Sequence, residues 1–198
     1  MDNYEYLIAG LPVLSKDWSA NSSVSVDSLI EEIKNGCSKK DNVLIDSLLD
    51  GYKEENFNED FYKSMLRHKN SFIREFFTFD LRVRNAKVRY LNEQLGRNTD
   101  KDIFLETEGE FEEREALMSV LYGDNLIDRE LGLDELMWNK ISELNIFEYF
   151  NINVLLGYIS KLKIIGRWLS LDEKTGKEMF RRLVEEIRGT FKGVEFNE

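Results

Sequence analysis

The apolar positions of the chain are spaced at three and four residues almost throughout, the period of helices that bury one side. The densest run covers residues 147–168, FEYFNINVLLGYISKLKIIGRW. In it Ile152, Leu155, Leu156, Ile159, Leu162, Ile165 and Trp168 form one broad helical stripe, and Asn151 or Asn153 is placed to cap its start. At roughly 25 cal/mol per Å² of buried apolar surface, such a stripe is worth on the order of ten kcal/mol before chain entropy is charged. It must therefore be covered by other helices. Lys161, Lys163 and Arg167 interrupt it too often for it to span a membrane.

The same period predicts the covering elements. Ahead of them, residues 4–14 are aromatic and aliphatic and are stopped by Gly10 and Pro12, which reads as a short strand or extended arm lying on the core. A serine-rich loop follows over 15–26. A helix capped by Asp27 or Ser28 then carries Leu29, Ile30 and Ile33 to Gly36. Residues 41–50 form a second helix and about 58–68 a third. A long helix over 71–95 presents Phe72, Phe76, Phe79, Val83, Ala86 and Tyr90, widened by Ile73, Phe77, Leu91 and Leu95, with Gly96 as its stop. Residues 98–110 have no sustained period and read as a linker or mobile loop. Helical pattern resumes over 112–122 and 126–131, is broken by Gly132, and returns through Leu133, Leu136, Met137, Ile141 and Leu144. After the central helix, a turn over 170–175 leads to a last helix carrying Met179, Phe180, Leu183, Val184 and Ile187, with a fraying tail beyond Gly189. The fold class is all-α, a multi-helix bundle. It reads as one helical domain over 1–198, with possible sub-units 1–97 and 111–198. The string Phe76-Phe77-Thr78-Phe79-Asp80-Leu81 is echoed in type by Tyr149-Phe150-Asn151-Ile152-Asn153-Val154, either as an internal repeat or as coincidence in an aromatic-rich chain.

Charge adds a second pattern. The net charge of −11 disfavours nucleic acid and anionic membrane surfaces as partners, since both are bound by positive fields. Residues 67–101 hold nine Lys/Arg against four Asp/Glu, whereas 102–135 hold twelve Asp/Glu against two Arg. These blocks either face each other in the fold, or leave Arg82, Arg84, Lys87 and Arg89 as a basic stripe for an acidic protein partner. One cysteine, Cys37, excludes an intrachain disulfide and suits a reducing cytosol. The acidic opening MDNYEYLIAGLP lacks the basic region of a secretory signal. Peripheral contact with a membrane is the most that is expected.

Catalytic and cofactor chemistry is hard to assemble from these residues. With His68 as the one histidine, no HExxH pair and no His/Cys zinc set exist, and neither GxxxxGK[ST] nor GxGxxG occurs. The acidic run over 106–115 lacks the ligand spacing of a calcium loop and reads as a solvated face. No metal, no cofactor and no enzymatic activity are expected. A deep cleft lined by carboxylates of raised pKa would argue the other way.

Three stretches carry a resemblance. YEYLIAGLP at residues 4–12, the segment 72–97 with its Arg84-Asn85, and YISKLKIIGRWLSL at 158–171 together resemble a bacterial family without an assigned activity, encoded beside subunits of V/A-type rotary ATPases. That family is distantly similar to the C-type (also called d-type) subunit of V-type ATPases, an all-helical funnel of three similar units. The present chain is long enough for two at most. The resemblance implies a non-catalytic accessory or central-stalk-like subunit on the cytoplasmic side, contacting the rotor shaft or ring. The alternative is a free-standing helical adaptor or regulator. Tyr4, Tyr6, Arg82, Arg84, Asn85 and Arg89 are the candidate contact residues, and Trp168 is a candidate core anchor with Arg167 reaching outward. Truncating a buried indole leaves a large void, so Trp168→Ala is expected to cost about 3–5 kcal/mol. An unchanged melting temperature would mark Trp168 as exposed instead.

Overall fold

The computed structural model describes residues 3–99 and 102–170. Among them are eight α-helices and no strand: α1 (Glu5–Gly10), α2 (Val26–Gly36), α3 (Lys39–Asp50), α4 (Glu59–Leu66), α5 (Ser71–Gln94), α6 (Arg114–Leu121), α7 (Leu126–Leu144) and α8 (Ile152–Ser170). Short 3₁₀ turns at Trp18–Asn21 and Glu54–Asn56 join some of them. The all-helical bundle is therefore as the periodicity predicts. The expected last helix, with Met179, Phe180, Leu183, Val184 and Ile187, lies outside the described residues.

Side-chain caps start most of the long elements. Ser38 accepts from the Asp41 amide, Asn58 from Phe61, Asn70 from Ile73, Asn125 from Ile127 and Asn151 from Asn153. Each satisfies one of the first-turn N–H groups that a helix cannot pair internally. The start of α2 differs from expectation: Ser25, not Asp27 or Ser28, precedes the first turn, and its hydroxyl bonds the Ser28 hydroxyl. Gly96 comes just after Leu95, the C-terminal cap of α5, at φ +62°, a conformation glycine adopts without steric cost, and Arg97 N–H closes back on the Asn92 carbonyl at 2.8 Å.

The helix α8 is the axis of the bundle. Leu155, Leu156, Ile159, Leu162 and Ile165 are fully buried, against Ile33 of α2, Ile45 and Leu48 of α3, Phe72 and Phe76 of α5, and Ile141 of α7. A second, smaller cluster of Phe79, Val83, Ala86, Leu117, Leu121 and Leu133 joins α5 to α6 and α7. Thus α5 contributes to both clusters.

Several expectations are corrected. Residues 5–10 are a short helix, not a strand or extended arm. Pro12 forces its predecessor out of the helical region, and Leu11 accordingly ends α1 at ψ 139°. Leu91 and Leu95 do not widen the buried face of α5 but are exposed. The aromatic head of the 147–168 run stands outside α8 and is largely exposed. The echoed strings are not structural equivalents, for Phe76 and Phe77 are buried inside α5 while Tyr149 and Phe150 precede α8 on the surface.

Gly132 does not break α7. It lies mid-helix where α7 meets α6, and a Cβ there would stand 2.8 Å from Val120 Cγ1 and 3.0 Å from Cγ2. Glycine is what lets the two helices approach. Gly132→Val is therefore expected to destabilise the fold by about 1–3 kcal/mol through overpacking, read as a lower urea midpoint. An unchanged midpoint would mean that α6 yields at no cost.

Candidate functional site

The expected contact residues fall in different places. Tyr4 is buried, with 7% of its surface exposed, and its hydroxyl donates to Asp41 Oδ2 at 2.5 Å beneath the start of α3. Burial, then that bond, raises its pKa. Cys37 lies beside the same carboxylate, and burial followed by the Asp41 charge pushes its thiol up to about 11. At neutral pH it is a protonated thiol, not a nucleophile. Tyr6, two residues from Tyr4, is 94% exposed.

The basic stripe on α5 is engaged by the chain's own 104–111 segment. Arg82 donates to Thr107 Oγ1 at 3.0 Å and to the Glu108 carbonyl at 2.8 Å. The Arg84 guanidinium sits 4.3 Å from the centre of the Phe104 ring. Asn85 is buried and donates to the Leu105 carbonyl at 2.8 Å, while Arg89 pairs with Glu106. The aperiodic loop is thus a strap, held on α5 by Phe104 and Leu105 packing into the main core. Backbone carbonyls satisfied by side chains leave no regular period in the sequence to reveal this. The two oppositely charged blocks face each other here, and again where Lys87 meets Glu130 at 3.3 Å.

A cleft of about 1030 Å³ opens between α5, α7 and α8. Charged side chains of both signs line it, including Asp80, Arg84, Lys87, Glu130, Asp134 and Arg167. Lys87, Glu130, Asp134 and Arg167 pair among themselves, whereas Arg84 Nη1 is buried without a hydrogen-bond partner. Tyr62 Oη donates to Asp80 Oδ2 at 2.5 Å. Arg167 bridges Glu130 at 2.9 Å and Asp134, and Asp134 also accepts from Trp168 Nε1 at 2.6 Å. Burial holds the Asp80 carboxyl above the usual carboxylate range despite that bond and the Arg84 charge. Asp134 is also raised, by burial that outweighs Arg167. Burial pulls Glu130 up as well, but Arg167 and Lys87 together bring it below its ordinary value. Trp168 is half-buried, stacked on Trp18 with ring centres 6.3 Å apart and planes 5° from parallel. No group of three or more His, Cys, Asp or Glu residues able to hold a metal occurs among the described residues.

The third feature is an aromatic surface. Between α7 and α8, Ile146, Phe147, Tyr149 and Phe150 project outward, with Phe147 83% and Tyr149 67% exposed. A polar knot holds this turn in place. Glu148 accepts from Asn151 Nδ2 and, at 3.0 Å, from buried Asn153 Nδ2. Asn153 Oδ1 in turn accepts from Asn70 Nδ2 at 2.8 Å, and Asn70 is the cap of α5. The Tyr4 N–H closes on the Phe150 carbonyl at 2.7 Å, which brings the N-terminal helix and Tyr6 to the same end. Sequence periodicity counted Phe147 and Phe150 with the core run, because a partner-facing patch and a core face look alike in one dimension.

Residues 105–190 match the model of a family described as a protein of unknown function, DUF2764. No curated protein and no solved structure matches the chain. The DUF2764 match begins in the strap and takes in α6, α7 and α8, and with them the aromatic turn and the Glu130–Arg167–Asp134 bridge. Tyr4, Tyr6 and the α5 residues of the cleft lie ahead of it. No helix among the described residues is long and apolar enough to cross a membrane.

The raised Asp80 carboxyl gives a pH signature. A carboxyl whose folded pKa exceeds the unfolded value of about 4 contributes stability that is fully present below that value and is lost as pH rises through the folded pKa. Asp80→Asn keeps an acceptor for Tyr62 and removes the buried charge. The melting temperature of this variant should gain on that of the native chain as pH is raised from about 4 to about 7. A difference that stays constant with pH would show that Asp80 carries no desolvation cost.

Proposed function

We propose that the chain is a non-catalytic helical subunit or accessory factor of a V/A-type rotary ATPase, docking on other subunits at the cytoplasmic side. The observation that carries a docking role is the aromatic turn over 146–150. Large apolar side chains clustered on a surface are costly in water and mark sites where another protein covers them. The Glu148–Asn153–Asn70 knot fixes the turn before any partner arrives, so little conformational entropy is lost on binding. The link to the rotary ATPase rests on the resemblance of residues 4–12, 72–97 and 158–171.

Of the candidate contact residues, Tyr6 is the one most fully presented to a partner. Arg82, Arg84 and Asn85 serve the strap, and Arg89 offers only a half-exposed pair with Glu106. In this reading the partner surface is aromatic first and charged at its rim. The cleft carboxylates are paired to Tyr62, Arg167, Lys87 and Trp168, an arrangement that suits a structural ion network better than a general acid or base awaiting substrate.

The test is capture from native membranes with the full chain as bait, followed by mass identification. ATPase subunits should be recovered with the native chain and depleted at least tenfold with Phe147→Asp/Tyr149→Asp, whose melting temperature should hold. Recovery of an unrelated partner alone would favour the free-standing adaptor. Equal recovery by both baits would remove the aromatic turn from the interface.

A further inference from the structure

We infer that the small pocket between α7, α8 and the connection following α1 binds a small monocarboxylate with an apolar body, its carboxylate received by Lys161. The inference is independent of the rotary ATPase reading, since it concerns a small ligand held within one chain.

Three parts of the chain build the pocket. Val154, Tyr158 and Lys161 stand at i, i+4 and i+7 of α8 and share one face. Trp138 of α7 forms the opposing wall, and Leu11, Pro12 and Leu14 of the connection complete the lining. Tyr158 Oη donates to the Pro12 carbonyl at 2.8 Å, which holds the connection against α8. The cavity measures about 260 Å³, below the range of drug-sized pockets. That is the liquid volume of about nine water molecules, room for a ligand of about that many non-hydrogen atoms.

Charge decides the class of ligand. Lys161 is the one charged side chain among the described residues of the lining, and it is half-buried. Its ammonium lies 4.9 Å from the centre of the Trp138 ring, and no carboxylate pairs with it among the described residues. Lys16, the charged neighbour that acts on it, is of the same sign and gives its own ammonium to Asn139 at 2.6 Å and Glu135 at 3.5 Å. Burial, then the charge of Lys16, accordingly lowers the Lys161 pKa. Tyr158 offers no anion either, for burial pushes its phenol up to about 12.

A half-buried ammonium without a counter-charge is unfavourable, and so are apolar walls left in water. An inorganic anion would answer the first need and leave the walls wet. A neutral hydrocarbon would cover the walls and leave the ammonium uncompensated. A carboxylate carried on an apolar body meets both, through a charge-assisted hydrogen bond to Lys161 and contact with Trp138 and Leu14.

Calorimetric titration of the full chain with benzoate, 4-methylpentanoate and 3-phenylpropanoate tests the inference. At least one acid should bind saturably, one per chain, and its primary amide should bind at least tenfold more weakly. Absence of saturable binding by all three, or equal affinity of acid and amide, would overturn the inference. Bound acid should also slow acetylation of Lys161 by acetic anhydride at least tenfold, while Lys163, which lines the larger cleft, reacts at its free rate. Binding that leaves Lys161 unprotected would lie elsewhere and equally sink the proposal. Lys161→Met keeps the apolar stem, removes the ammonium and should weaken the acid at least tenfold. Unchanged affinity would leave Lys161 a snorkelling side chain and overturn its role. Val154→Phe fills the cavity with Lys161 in place and should abolish binding of acid and amide alike, whereas retained binding would count against the pocket.

Discussion

Everything in this fold answers to the need to keep α8 out of water. Its Leu155, Leu156, Ile159, Leu162 and Ile165 have no exposed surface, and Gly157 and Ser160 are buried as well, so more than one face of the helix must be covered. A helix with that much apolar surface has no stable existence alone. The elements α2, α3, α5 and α7 therefore surround it, and the Trp18–Asn21 turn closes part of the remaining gap. At its polar points the helix is equally well provided for: Ser160 Oγ returns to the Leu156 carbonyl at 2.9 Å, and Asn153 is absorbed by Glu148 and Asn70. Unpaired, either group would carry a desolvation cost comparable to the gain from a neighbouring leucine.

The helix α5 is the second organiser because it faces two ways. One side supplies Phe72, Phe76 and Phe77 to the core around α8, and the other supplies Phe79, Val83 and Ala86 to the cluster with α6 and α7. Between these faces run the arginines. Their charge is spent close to home, on the Phe104 ring, on Thr107, on the Glu108 carbonyl and on Glu106. Such contacts are individually modest where exposed. Their common effect is to tie an aperiodic strap to a regular helix, which turns a chain connection into part of the structure.

The aromatic turn and the cleft differ in how they meet water. The turn is fixed by hydrogen bonds and displays Phe147 and Tyr149, both largely exposed among the described residues. The cleft is a concavity in which apolar side chains lie beside charges that are in part paired with one another. A preorganised convex patch suits a separate protein. Both surfaces draw on the stretch that matches DUF2764.

The sequence by itself determined the helical class, the positions of most helices and the identity of the buried axis. All of these follow from local spacing: a period near 3.6, Asn and Ser caps, and glycines at helix ends are properties of neighbouring residues. What lay beyond it is set by contacts between distant residues. Gly132 reads as a breaker until Val120 is known to press against it, and Phe147 reads with the core run until it is seen to be exposed. Tyr4 reads as a partner contact on an arm lying on the core until Asp41, 37 residues on, takes its hydroxyl. The arginines of α5 read as a free stripe until the 104–111 segment folds over them. Periodicity reports that a face must be buried or charged. Only the tertiary structure decides what meets that face, because the answer depends on which distant segments the chain brings there.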